Sequence, residues 1–250
     1  MEVSRLTPAE QRELLTLLEE RARRASRRKL FTIYPDEGPL RRELYPKHME
    51  FFAAGATYRE RCFMAANRIG KSYGAGGFET ALHLTGRYPG WWKGRRFETP
   101  VEFWAAGKTN ETTRDIVQHI LLGDIEYDGP TKRFAGTGLI PGEDIGSTTW
   151  KQGVQNLADT VKVKHISGGW SLLGLKAYQQ GRGAFEGTAK HGIWLDEEPP
   201  AEIYGECLIR TATTSGLLYL TFTPLDGMSE TVMSFLPKDF QTLLEGVTGA

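Results

Sequence analysis

The chain has 250 residues, with 31 basic and 31 acidic side chains, a formal net charge of zero and 40% apolar residues. This length supports one large α/β domain or two small ones, and the composition excludes a disordered chain, a fibre and a surface uniformly attractive to nucleic acid. Cys62 and Cys207 sit far apart in apolar stretches and read as buried reduced thiols; no apolar run approaches bilayer-spanning length and the N-terminus does not read as a signal peptide, so a soluble, intracellular protein is expected.

Thr7-Pro8-Ala9-Glu10 combines a capping threonine, a proline at the first helical position and a glutamate three residues after the cap, which predicts a helix. Leu14, Leu15, Leu17 and Leu18 give that helix an apolar stripe, and Arg21, Arg23, Arg24, Arg27, Arg28 and Lys29 make its end strongly basic. Those cations suit either a solvated helix C-terminus or a contact with nucleic acid or a partner. A connector containing proline and glycine runs from Tyr34 to Pro46.

Cys62-Phe63-Met64-Ala65-Ala66 then reads as a buried strand, which passes through a loop into a helix starting near Lys71. Val101 to Ala106 reads as a second strand, with a helix from about Asn110 to Leu121. Gly123 to Lys151 is dense in glycine, proline, aspartate and threonine and is expected to be a long surface excursion. Val161 to Ile166 alternates like a half-exposed strand and can form a hairpin with Ser171 to Leu175 across Gly168-Gly169. Gly192 to Leu195 and Leu217 to Phe222 are unbroken apolar runs, the pattern of central strands covered on both faces. Strands alternating with helices imply an α/β fold with a mostly parallel sheet in three layers.

Two of these strand ends carry chemistry. Gly70-Lys71-Ser72 falls where a strand turns into a helix, so backbone N–H groups and the positive end of the helix dipole converge on a space suited to phosphate. Lys71 would reach the β- and γ-phosphates and the Ser72 hydroxyl would ligate Mg²⁺. The usual pattern has glycine at the position held here by Ala65. Gly192-Ile193-Trp194-Leu195-Asp196-Glu197-Glu198-Pro199 is an apolar strand ending in carboxylates. Asp196 is placed to hold Mg²⁺ and Glu197 to orient or deprotonate the attacking water, which favours hydrolysis over phosphoryl transfer to another substrate. A third strand ends in Thr221-Phe222-Thr223-Pro224, where the hydroxyl of Thr223 or Thr221 could sense the γ-phosphate or simply belong to a turn.

Taken together, Ala65-Ala66-Asn67-Arg68-Ile69-Gly70-Lys71-Ser72, His83 to Trp92, Gln180-Gly181-Arg182 through Phe185-Glu186-Gly187-Thr188, Trp194 to Pro199 and Thr221-Phe222-Thr223-Pro224-Leu225 resemble the large subunits of tailed-phage terminases, the motors that package DNA. The resemblance spans roughly residues 30 to 235. It implies a P-loop NTPase of the additional-strand, catalytic-glutamate type, an α/β fold whose mostly parallel central sheet is sandwiched by helices. The corresponding division of the chain is an N-terminal helical arm at 1–30, the ATPase domain at 31–240 and a tail or linker start at 241–250. The nuclease domain that family members normally carry is not expected in this chain.

The resemblance further implies ATP and Mg²⁺ as cofactors, with Asn67, Arg68, Ile69, Gly70, Lys71, Ser72, Asp196 and Thr223 at the nucleotide and Ser72 and Asp196 on the metal. Glu197 becomes the catalytic base, and Thr223 part of a motif coupling hydrolysis to movement. The arginine that neutralises the transferred phosphoryl group is either Arg68 in cis or Arg182 acting in cis or in trans. Tyr45 and His48 occupy the place where the family holds adenine, although the expected glutamine is missing. Implied partners are double-stranded viral DNA, a small terminase subunit and the portal of the procapsid, with a homo-oligomeric ring on assembly, a monomer in isolation and no membrane. The expected location is the host cell cytoplasm. Rival readings are a helicase-like nucleic-acid-dependent ATPase and a regulatory module that binds nucleotide without hydrolysing it.

Overall fold

A computed structural model of the chain describes residues 7–26, 28–225 and 227–237. Arg27 of the basic stretch, the side chains of Arg23 and Arg24, and the tail expected at 241–250 lie outside the described residues. Helix α1, Pro8–Ser26, opens on the expected capping box: the Thr7 backbone N–H donates to Glu10 Oε2 at 2.7 Å, and the Glu10 N–H donates to Thr7 Oγ1 at 3.4 Å. Its leucine stripe does not join the core, since Leu15, Leu17 and Leu18 are 57%, 60% and 51% exposed.

Seven strands form the central sheet: β1 (Glu60–Met64), β2 (Glu102–Gly107), β5 (Ile145–Trp150), β6 (Ala158–Lys164), β7 (Trp170–Ala177), β8 (Gly192–Asp196) and β9 (Leu217–Phe222). Their spatial order is β1-β9-β8-β2-β7-β6-β5. The first five in that order run parallel, and β6 lies antiparallel to both β7 and β5. One strand, β9, therefore separates the strand leading into the phosphate loop from the strand ending in the carboxylates. This inserted strand is the hallmark of the additional-strand P-loop fold.

The apolar runs explain why β8 and β9 are central. Trp194 and Tyr219 enter one core, while Ile193, Leu195, Leu218 and Leu220 enter the core on the opposite face. Alternate residues of a strand point to opposite faces, so only an unbroken apolar run can fill both. Helices α2 (Pro46–Ala54) and α3 (Phe78–Thr85) cover the first face with the helical run α4 (Asn110–Thr112), 113–118 and α5 (His119–Leu122); α6 (Ala201–Ala212) and α7 (Glu230–Ser234) cover the other. The glycine-rich stretch expected to be a plain excursion instead contains the hairpin β3 (Ile125–Asp128) and β4 (Thr131–Phe134) as well as the edge strand β5. Among the described residues, no helix is long and apolar enough to cross a membrane.

Beneath α3 lies a buried ionic group. Arg61 on β1 donates to Glu79 Oε1 at 2.6 Å and Oε2 at 3.1 Å and to the Phe51 carbonyl at 2.8 Å, while His83 shares Glu79 Oε1 at 3.0 Å. The pair ties the helix that follows the phosphate loop to the strand that precedes it.

Candidate nucleotide site

The loop from Ala65 to Gly70 joins β1 to a helix whose first turn, Lys71–Gly77, is π-helical: the Ala75 N–H donates to the Gly70 carbonyl five residues back, at 3.2 Å. Gly70 has φ +84°, a left-handed conformation that glycine adopts without steric cost. Close packing sets a second glycine, because a Cβ on Gly76 would stand 2.1 Å from Trp194 Nε1. The helix start can therefore sit directly on β8, and its unpaired N–H groups face the ends of the parallel strands.

Side chains from three strand ends meet there. Lys71 Nζ donates to Thr223 Oγ1 at 2.8 Å and to the Ala66 carbonyl at 3.1 Å. Thr223 Oγ1 in turn lies 2.8 Å from the Ala65 carbonyl and 2.9 Å from Asn67 Oδ1, so the end of β9 is stitched to the loop. On β8, Trp194 Nε1 donates to Thr221 Oγ1 at 2.7 Å, and Thr221 donates to Asp196 Oδ1 at 2.7 Å. The Ser72 side chain lines the same cleft beside Asp196 and favours its ionised form. The two threonines read as alternatives thus divide the work, Thr221 holding the aspartate and Thr223 holding the lysine.

Burial pushes the Asp196 carboxyl up to about 6, with Ser72 and the hydrogen bond from Thr221 opposing the shift. Burial also lowers Lys71, while Asp196 and Glu197 pull it back up. Glu197 follows the strand at φ +65°, its N–H donating to the Thr221 carbonyl at 3.0 Å. The left-handed turn there costs a side-chain-bearing residue about 1 kcal/mol or more. Tyr178, which no sequence motif marks, donates its hydroxyl to the carbonyls of Asp196 at 2.8 Å and Glu197 at 3.1 Å.

The resulting cleft encloses about 450 Å³ and is lined by Asn67, Lys71, Ser72, Asp196, Glu197 and Thr223, together with Lys108 from the end of β2. Arg68 and Ile69 stand exposed on the loop beside it, Arg68 at φ +64°. Three anticipated residues do not reach it. Arg182 lies on the short turn Arg182–Phe185, whose buried Phe185 packs on Trp104 and α6; its guanidinium is held by Glu206 at 2.9 Å and faces Glu186 at 3.6 Å. In this structure Arg182 is thus turned to Glu206 on α6 and is not among the residues that line the cleft. His48 is only 5% exposed and stacks among Tyr34, Tyr45 and Phe63, and Tyr34 donates to the Gly74 carbonyl at 2.8 Å. His48 therefore packs beside Gly70 and Gly74, with Tyr45 edge-on to its ring, and its buried ring is covered on these sides.

Known proteins resemble this chain in sequence over most of its length. Residues 62–245 match the family described as terminase large subunit, T4likevirus-type, N-terminal. The chain is 44% identical to the large terminase subunit of Salmonella phage P22 across a 250-residue alignment, covering 92% of this chain and 47% of that protein. It thus spans about half the length of that relative. The structure of a large terminase from a thermophilic bacteriophage in complex with ADP superposes with a TM-score of 0.41 at 10% identity, over 75% of this chain and 48% of that one.

Proposed function

The chain belongs to the family of terminase large-subunit N-terminal domains, and we propose that it is an ATPase motor domain that couples ATP hydrolysis to movement of double-stranded viral DNA into a procapsid. What carries the reading is the junction of Lys71, Thr223, Asp196 and Glu197 in one cleft, fed by the two strands that flank β9. A lysine for phosphate, a carboxylate for a cation and a second carboxylate for water are the parts that hydrolysis of a nucleoside triphosphate requires.

The donor set fits Mg²⁺: Ser72 and Asp196 offer hard oxygens side by side in the cleft, and Mg²⁺ is commonly held by one or two protein oxygens plus phosphates and water. When bound, the ion would neutralise charge on the β- and γ-phosphates. In the proposed reaction Lys71 exchanges Thr223 for the phosphates, and Glu197 orients a water molecule and takes its proton as that water attacks the γ-phosphorus. ADP then leaves with inorganic phosphate. Arg68 is the cis arginine of this scheme, and Arg182 is left to a neighbouring subunit of a ring. The wider proposal includes that ring docked on a portal, a small terminase subunit presenting DNA, and a site of action in the host cytoplasm.

Glu197→Gln tests the reading. The charge is lost while shape is kept, so ATP should still bind and turnover should fall by about 10²–10⁴-fold, the usual contribution of a general base. Turnover equal to that of the unaltered protein would remove Glu197 from the chemistry. Nucleotide binding without any turnover in the unaltered protein, even with DNA present, would favour the regulatory-module reading.

A further inference from the structure

We propose that Lys108 is a second cis cation of this site, contacting the γ-phosphoryl group from the side opposite Lys71; the inference rests on the nucleotide reading above. The parallel register of β2 on β8 pairs Ala105 with Trp194 and Ala106 with Leu195. Continued by two residues, it sets Lys108 level with Glu197, at the strand ends where a γ-phosphate and its attacking water would meet. Lys108 lines the same cleft as Lys71 and Asp196, and its side chain is exposed. Among the described residues its ammonium makes no ion pair or hydrogen bond, whereas Arg182 is committed to Glu206.

The backbone around Lys108 is fixed on both sides. The Gly107 N–H donates to Thr113 Oγ1 at 3.2 Å, the Lys108 carbonyl accepts from the Gln179 N–H at 3.1 Å, and Thr109 caps the following helix by accepting from the Thr112 N–H at 3.1 Å. Gln179 adjoins Tyr178, which holds the carbonyls of Asp196 and Glu197. A flexible cation on a rigid stem, indexed to the same tyrosine as the carboxylates, is placed to meet charge that develops on a transferred phosphoryl group. Neither Ile116 nor Leu225, the apolar residues on the rim, could supply that charge.

The test is Lys108→Met in the full chain, with affinities for ADP and for the slowly hydrolysed analogue ATPγS measured beside steady-state turnover. A γ-phosphate contact predicts ADP affinity within about two-fold of the unaltered protein, ATPγS affinity reduced about ten-fold, kcat reduced about 10²-fold, and partial recovery in Lys108→Arg. An unchanged melting temperature would show that the variant folds. Equal weakening of both nucleotides, or unchanged kcat, would overturn the assignment while leaving the site itself intact. If the unaltered protein binds neither nucleotide, the nucleotide reading fails and this inference goes with it.

Discussion

Lys71 and Thr223 are joined across 2.8 Å, so the cation of the phosphate loop is anchored to the end of a strand that arrives 152 residues later. A phosphate entering the cleft competes with that hydroxyl for the ammonium, and β9 then experiences the exchange directly. Thr223→Val, which keeps the shape and removes the hydroxyl, should therefore act on turnover more than on binding. The bond to the ammonium is given up as phosphate binds, so the expected loss of turnover, about ten-fold, comes from uncoupling β9 from that exchange and not from a missing transition-state contact. Separate measurement of kcat and KM decides the matter: a raised KM with kcat intact would assign Thr223 to binding alone.

Asp196 yields a prediction of opposite sign for stability. Its folded pKa of about 6 lies above the unfolded value near 3.9. The contribution of this group to stability is thus fully present below pH ~4 and is lost as pH rises through about 6. In the absence of nucleotide and cation, Asp196→Asn should stabilise the domain by about 1–3 kcal/mol at pH 8 and by much less at pH 4. Thermal melts of both proteins at those two pH values test it, and a variant less stable than its parent at pH 8 would contradict it. The same substitution should abolish turnover, because a carboxamide binds Mg²⁺ poorly.

How much of this arrangement the sequence discloses depends on distance along the chain. Lys71 and Asp196 are legible because each closes a local pattern, an apolar strand running into a polar turn, and the pattern itself dictates the element. Lys108 closes the same kind of pattern, one residue after β2 and one before the capping Thr109, but a lone lysine there carries no motif. Tyr178 is invisible for a different reason: its value comes from carbonyls 18 and 19 residues away that only the β8–β2–β7 order brings beside it. The placement of His48 is also instructive. An aromatic and a histidine upstream of a phosphate loop suit a base site, yet α2 turns His48 inward, where Gly70 and Gly74 leave room for its ring. In the glycine-rich stretch after Gly123, short polar strands such as Thr131–Phe134 lack the apolar run that would have announced them.

The Arg61–Glu79 pair is the stability feature most exposed to single substitutions. Burial raises the Glu79 carboxyl, but Arg61 and His83 outweigh it and hold the group below its ordinary value. Its contribution is therefore present above the unfolded pKa of about 4.3 and is lost as pH falls through the lower folded value. Glu79→Ala leaves Arg61, whose side chain is 4% exposed, as an uncompensated buried charge. The expected cost is about 3–5 kcal/mol, whereas Arg61→Met combined with Glu79→Leu should recover most of it by replacing charge with packing. Denaturant melts of the single and double variants separate the two: equal losses in both would mean that packing cannot replace the ionic hydrogen bonds of the pair.

Glu197 offers the sharpest separation of stability from function. The residue stands at φ +65°, and its N–H is fixed to the Thr221 carbonyl at 3.0 Å, so the chain cannot relax out of the left-handed region without giving up a backbone bond between β8 and β9. Any side chain with a Cβ meets that strain, and glycine does not. Glu197→Ala and Glu197→Gly should both lose turnover, yet the glycine variant should be the more stable of the two by about 1 kcal/mol. The ordering is the reverse of what glycine does at most positions, where it loosens the unfolded chain and destabilises. An alanine variant more stable than the glycine variant would mean that the turn relaxes once the glutamate is gone, and that the strain serves the carboxylate instead of the backbone.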